Sequence, residues 1–117
     1  MEGLSKIEVI TKRSKLDTLK TALSKAGVYG ITVIDVLGCG VEKGAPEYAV
    51  DEMEIMELLP KQQISIVVET ARVNEIVDII KMELYTGHIG DGKIFVYQID
   101  NAIRIRTGDE GTEALHH

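Results

Sequence analysis

Chemistry would concentrate in the run Thr86-Gly87-His88-Ile89-Gly90-Asp91-Gly92-Lys93-Ile94-Phe95-Val96. Three glycines separate a helical pattern from a strand-like one. Glycines let backbone N–H groups approach an anion closely, and concave turns of this kind bind phosphate. Lys93 would add a compact positive charge. The spacing is not that of a Walker A loop, whose lysine is followed by Ser or Thr and opens a helix. Here the lysine leads into a strand. Two readings stand on these residues alone: a phosphate cradle, or an ordinary turn.

Two further groups carry charge. In Arg104-Ile105-Arg106, an extended backbone would point both guanidiniums to one side. That makes either an anion clamp or a surface salt-bridge pair. Glu47, Asp51, Glu52, Glu54 and Glu57 form an acidic run. It reads either as an arm for a basic partner or as a solvated loop, and nothing in it fixes a metal-ligand geometry. No catalytic constellation emerges. His88 is the one histidine outside the terminal pair, and Cys39 has no partner in sequence. The expectation is a binding protein without catalytic residues or a metal site, not an enzyme.

The elements that must position these groups follow from apolar periodicity. Lys6 to Ile10 reads as a strand. Leu16, Leu19, Leu23 and Ala26 mark a helix, with Ser14 as N-cap, Asp17 in its first turn, Lys25 in its last and Gly27 at its end. Gly30 to Leu37 is β-branched and predicts a well-buried strand. Gly38 to Lys61 predicts a long loop, of a length that is usually functional or disordered. Gln63 to Glu69 alternates, with Ile64, Ile66 and Val68 on one side. Val73, Ile76, Val77, Ile80 and Leu84 predict a second helix, Lys93 to Ile99 a fourth strand, and Ala102 to Arg106 a short fifth one. The order βαββαβ predicts an α+β fold, a ferredoxin-like sandwich with an antiparallel sheet and both helices on one face.

Composition bounds the rest. The 117 residues make one domain, read as 1–115, and 44% are hydrophobic with one Phe and no Trp, so the core is aliphatic. A net charge of -6 argues against nucleic acid as a partner. The single cysteine fits a reducing compartment. No run reaches the roughly 20 apolar residues of a membrane helix, and the N-terminus shows no signal peptide. The expected location is cytoplasmic. His116 and His117 read as the stub of a purification tag.

The stretch TGHIGDGKIFVYQIDNAIRIRTGDEGTEAL, Thr86 to Leu115, closely resembles the C-terminal signature of the PII signal-transduction proteins, a nitrogen-regulatory family. Lys6 to Val36 resembles the family's first strand, helix and second strand, and Leu59-Pro60-Lys61 resembles the end of its effector loop. The resemblance implies a homotrimer of ferredoxin-like subunits that binds ATP or ADP in clefts between neighbours, and it leaves Mg²⁺ open. It places phosphate contacts on Gly90, Gly92 and Lys93 of one subunit and on Arg104 and Arg106 of the next. Gly30 and Thr32 match positions near the adenine and ribose. The resemblance also assigns nucleotide contact to Ile10, Gly38, Gly40, Val41, Glu42, Val67 and Asp91. Residues 38–61 match the effector loop, by which such proteins control ammonium transporters and nitrogen-assimilation enzymes, so the implied partner is a membrane transporter or another regulated protein.

The loop departs from the family pattern. Tyr48 lies in Pro-Glu-Tyr-Ala, outside the uridylylation pattern, which argues against that modification. Glu42 stands where the family has a glutamine that helps bind Mg²⁺ and 2-oxoglutarate, and its charge would repel a dicarboxylate. Lys61, which matches another 2-oxoglutarate contact, is retained. Val41 and Val50 replace arginines, the second one used to plug an ammonium channel. The alternative expectation is a PII-like sensor of another small ligand, such as a metal, bicarbonate or 2-oxoglutarate, that controls nitrogen-assimilation proteins.

Overall fold

Alternation along Leu4–Thr11, strand β1, sets the centre of the sheet: Ile7 and Val9 are buried, while Lys6, Glu8 and Ile10 lie on the opposite face. The computed structural model describes residues 3–12, 15–40 and 57–116. The elements that follow β1 are α1 (Leu16–Lys25), β2 (Ile31–Gly40), β3 (Glu57–Glu69), α2 (Val73–Leu84) and β4 (Lys93–Ile99). Short 3-10 turns cover Thr70–Arg72 and Gly111–Leu115. The sheet runs β2-β3-β1-β4 and every pairing is antiparallel.

Both helices bury their apolar faces against one side of the sheet. Leu19 and Leu23 of α1 and Ile76 and Ile80 of α2 meet Ile7, Val9, Ile64 and Ile66 in an all-aliphatic core. Leu23 and Ile76 are fully enclosed. Leu23→Ala or Ile76→Ala is therefore expected to lower the unfolding free energy by about 2–5 kcal/mol, since transfer and cavity losses add. Urea denaturation at fixed protein concentration reads this directly.

Helix α1 follows its sequence signals at both ends. Asp17 sits in the first turn, Lys25 in the last, and Gly27 takes φ +83° just past the end, where a side chain would be strained. Ser14, the expected cap, lies outside the described residues.

Three expectations are corrected. First, β2 is not well buried. It is an edge strand: Ile34, on the face away from the helices, is 47% exposed, and Leu37, on the helix side but far along the strand, is 64% exposed. Second, the segment expected as a loop over 38–61 is shorter. The β2–β3 ladder continues through Gly38↔Leu59 to Gly40↔Glu57. Pro60 is tolerated because β1 pairing ends at Thr11↔Gln62, so among the described residues β3 has a neighbour on one side only there. Val41, Glu42, Glu47, Tyr48, Val50, Asp51, Glu52 and Glu54, with the readings attached to them, lie outside the described residues. Third, Ala102–Arg106 is not a strand. Only an isolated Ile103↔Glu110 bridge forms, and the chain turns back through Ile105–Thr107. The Arg104 N–H donates to the Asp109 carbonyl, and the Gly108 N–H donates to the Arg104 carbonyl.

Candidate functional site

Register places seven of the candidate residues on one face of the sheet. Thr32 pairs with Ser65, Ser65 with Glu8, and Glu8 with Phe95. In the next row, Ile34, Gln63, Ile10 and Lys93 lie side by side. Paired residues share a face and alternate residues return to it. Ile10, Thr32, Gly38, Gly40, Lys61, Val67 and Lys93 thus all lie on the face opposite the helices. A Cβ built on Gly38 would come 3.2 Å from Cγ of Lys61, so the lysine stem lies across that glycine.

The glycine turn between α2 and β4 is built by Asp91. Its Oδ1 accepts the Thr86 hydroxyl at 2.5 Å. Its Oδ2 accepts the Thr86 and Gly87 backbone N–H groups at 2.8 and 3.0 Å. The Lys12 ammonium lies 3.6 Å from Oδ1, and the Thr11 hydroxyl donates to the Asp91 carbonyl at 2.8 Å. The Thr86 hydroxyl holds the Asp91 carboxyl far below the usual carboxylate range, helped by the two N–H groups and Lys12. A depressed folded-state pKa gives stability that is fully present above the ordinary range and is lost as pH falls toward the lowered value. The carboxylate therefore keeps the turn closed at every near-neutral pH.

Gly92 is required by space as well as by conformation. Its φ is +103°, and an added Cβ would sit 2.0 Å from the Ile10 carbonyl oxygen and 2.9 Å from Cα of Thr11. The turn is pressed onto the end of β1. Among the described residues, the backbone N–H groups of Ile89 and Gly90 meet no acceptor. Lys93, exposed and without an ion pair among the described residues, follows them. A turn of unmet N–H donors followed by an ammonium is suited to an anion.

The two arginines do not act as a matched pair. The Arg104 guanidinium folds onto its own chain: Nη1 lies 3.2 Å from Asp109 Oδ2, and Nη2 donates to the carbonyls of Glu113 and His116. It thereby holds the C-terminal turn. Arg106 is exposed and has no hydrogen bond or ion pair among the described residues.

A cleft of about 770 Å³ opens beside the C-terminal turn. Gly30, Thr32, Ile34 and Val67 line it with Lys6, Ser65, Thr112, Ala114 and Leu115. Gly90, Asp91, Gly92 and Lys93 do not line it; Asp91, Gly92 and Lys93 border a separate cleft of about 500 Å³ beside Ile80, Leu84 and Tyr85. Across the shared sheet face the candidate residues sit at opposite edges, Thr32 at the β2 edge and Lys93 with the glycine turn at the β4 edge. Sequence reasoning missed Lys12, Thr86 and the wall made by Thr112, Ala114 and Leu115. The Thr86/Asp91 spacing was a usable signal for a capped turn. Lys12 carried none, because the topology alone brings it to Asp91.

Among the described residues no group of three or more His, Cys, Asp or Glu side chains could hold a metal ion, and no helix is long and apolar enough to cross a membrane.

Helices on one face and an open four-stranded antiparallel sheet on the other define a ferredoxin-like domain. The chain belongs to the nitrogen regulatory protein P-II family, whose family model matches residues 4–109. It is 46% identical to the nitrogen regulatory protein P-II of Rhodospirillum rubrum over 112 residues, covering 96% of this chain and all of that protein. The P-II protein of Synechocystis is 43% identical over the same share. Among solved structures, B. subtilis GlnK superposes with a TM-score of 0.83 at 40% identity, covering 97% of this chain and 99% of the other. The B. subtilis GlnK–ATP complex gives 0.82 at 39% identity, covering 97% and 98%.

Proposed function

We propose that this protein is a P-II-type sensor of ATP and ADP that assembles as a homotrimer and regulates a target protein through residues 38–61. The division of the candidate residues carries this reading. The glycine turn with Lys93 lies on the surface at the β4 edge and the Gly30–Thr32 cleft with the C-terminal turn on the surface at the β2 side of the sheet. A shared ligand requires the first surface of one subunit to meet the second surface of its neighbour, which is a head-to-tail contact that closes a ring. The exposed apolar side chains of the sheet, among them Ile34, Phe95 and Tyr97, support the same assembly. The ATP bound by B. subtilis GlnK supports the choice of nucleotide.

The signal is a population shift: a nucleotide changes partner affinity by its differential binding to two conformations. A membrane transporter is the proposed target and the acidic segment the proposed arm, with the cytoplasm as the place of action. Glu42 at the base of that segment would add repulsion to a third phosphate, so ADP is expected to bind more tightly than Mg-ATP. Titration calorimetry with each nucleotide, with and without Mg²⁺, tests both statements. Saturable heats and a melting temperature that rises with nucleotide are expected. No binding of either nucleotide at millimolar concentration would end the nucleotide reading, and equal affinities would end the ADP preference.

A further inference from the structure

We infer that Asp91 is a positioning residue for phosphate recognition, acting through the backbone it folds and not by touching the ligand. This deepens the nucleotide reading and rests on it. Four groups converge on the Asp91 carboxylate: the Thr86 hydroxyl, the Thr86 and Gly87 N–H groups, and the Lys12 ammonium. A carboxylate is all acceptor and has about four lone-pair sites. Here three hydrogen bonds and one ion pair occupy them. It has little capacity left for a ligand, and its charge would repel a phosphate. What it does is gather the donors at the start of the turn. Among the described residues, the N–H groups of Ile89 and Gly90, in the middle of the turn, stay without acceptors. The Thr11 hydroxyl pins the same residue to β1 through the Asp91 carbonyl. The turn is therefore held at both ends and open in the middle, which is the preorganised state an anion site needs.

Lys12 has a second part in this arrangement. Its ammonium offsets the Asp91 charge next to the site, so a phosphate meets a less repulsive field. Asn at position 91 keeps the size and one acceptor oxygen but replaces the other with a donor that opposes the Thr86 and Gly87 N–H groups.

The test uses the full chain and two probes, ADP and adenosine, measured by calorimetry on the wild type, Asp91→Asn and Thr86→Val. Asp91→Asn is expected to lose about tenfold or more in ADP affinity. Thr86→Val is expected to lose a smaller factor in the same direction. Adenosine affinity should stay within about twofold for both variants, because adenosine does not use the turn. Amide hydrogen exchange of residues 86–93 in the unliganded protein should quicken in Asp91→Asn. Unchanged ADP affinity in Asp91→Asn, with wild-type binding intact, would overturn the role of Asp91 alone. Equal losses for ADP and adenosine would overturn it too, because they would show general structural damage. A wild type that binds neither probe would overturn the nucleotide reading and this role with it, and the wild-type titration alone identifies that case.

Discussion

Lys93→Ala is expected to weaken ATP and ADP by about ten- to a hundredfold. A hydrogen bond to a charged group contributes roughly 1.5–3 kcal/mol, and each factor of ten in affinity corresponds to about 1.4 kcal/mol. Lys93 opens β4 beside Ile10 and is tied by no ion pair among the described residues. No side-chain hydrogen bond or ion pair among the described residues has to be broken for it to reach a phosphate, and none is lost when it is removed. The fold should therefore be untouched, with the loss confined to phosphate-bearing ligands. Calorimetry with ADP and a melting curve of the unliganded variant separate the two. Lys93→Arg should recover part of the affinity, because charge survives while the compact geometry does not.

Gly92→Ala is expected to have the larger structural effect. The substitution must place a Cβ against the Ile10 carbonyl at a φ of +103°. The backbone cannot give way as the end of a flexible side chain would. Strain and overpacking together are expected to cost about 2–4 kcal/mol. The turn would have to lift off β1, carrying its N–H groups and Lys93 away from their positions. Gly90→Ala is the control. Its φ is +104°, but a Cβ there meets nothing within 4 Å. It should show the conformational cost alone, about 1–3 kcal/mol, with the contact to β1 intact. Urea denaturation and ADP titration of the two variants should rank Gly92→Ala as clearly worse in both.

Much of this was legible in the residues. Alternation in Gln63–Glu69 named Ile64, Ile66 and Val68 as core, and all three are buried. The spacing Val73, Ile76, Ile80, Leu84 marked α2, and its expected start and end match the structure. These elements read correctly because one face is apolar and the other polar. β2 read too deep because β-branched composition reports strand propensity and not layer. An edge strand can be as apolar as a buried one. Its ladder with β3 outran the sequence reading because Gly38, Gly40 and Pro60 are turn residues by type, whereas here they sit where a one-sided pairing tolerates them.

The candidate residues were legible but their arrangement was not. Glycine spacing and Lys93 left two readings, a phosphate cradle or an ordinary turn. No periodicity showed that Arg104 holds the C-terminal segment or that Lys12 stands beside the turn. The first depends on the chain turning back at Ile105–Thr107, and the second on a contact between distant parts of the chain. Arg104 and Arg106 looked equivalent by alternation, and the turn at Ile105–Thr107 makes them different.

The central claim is that one nucleotide site is shared by two subunits, and mixing subunits tests it most directly. Lys93→Ala and Arg106→Ala each damage one half of every cleft in a pure trimer. After the two variants are unfolded together and refolded, random exchange gives clefts that pair an intact Lys93 half with an intact Arg106 half. In a closed ring these make up roughly a quarter of the clefts in an equal mixture. The predicted result is that each pure variant lacks tight ADP binding while the mixture regains wild-type affinity at about that fraction of sites. A mixture that binds no better than its two components would contradict the shared site.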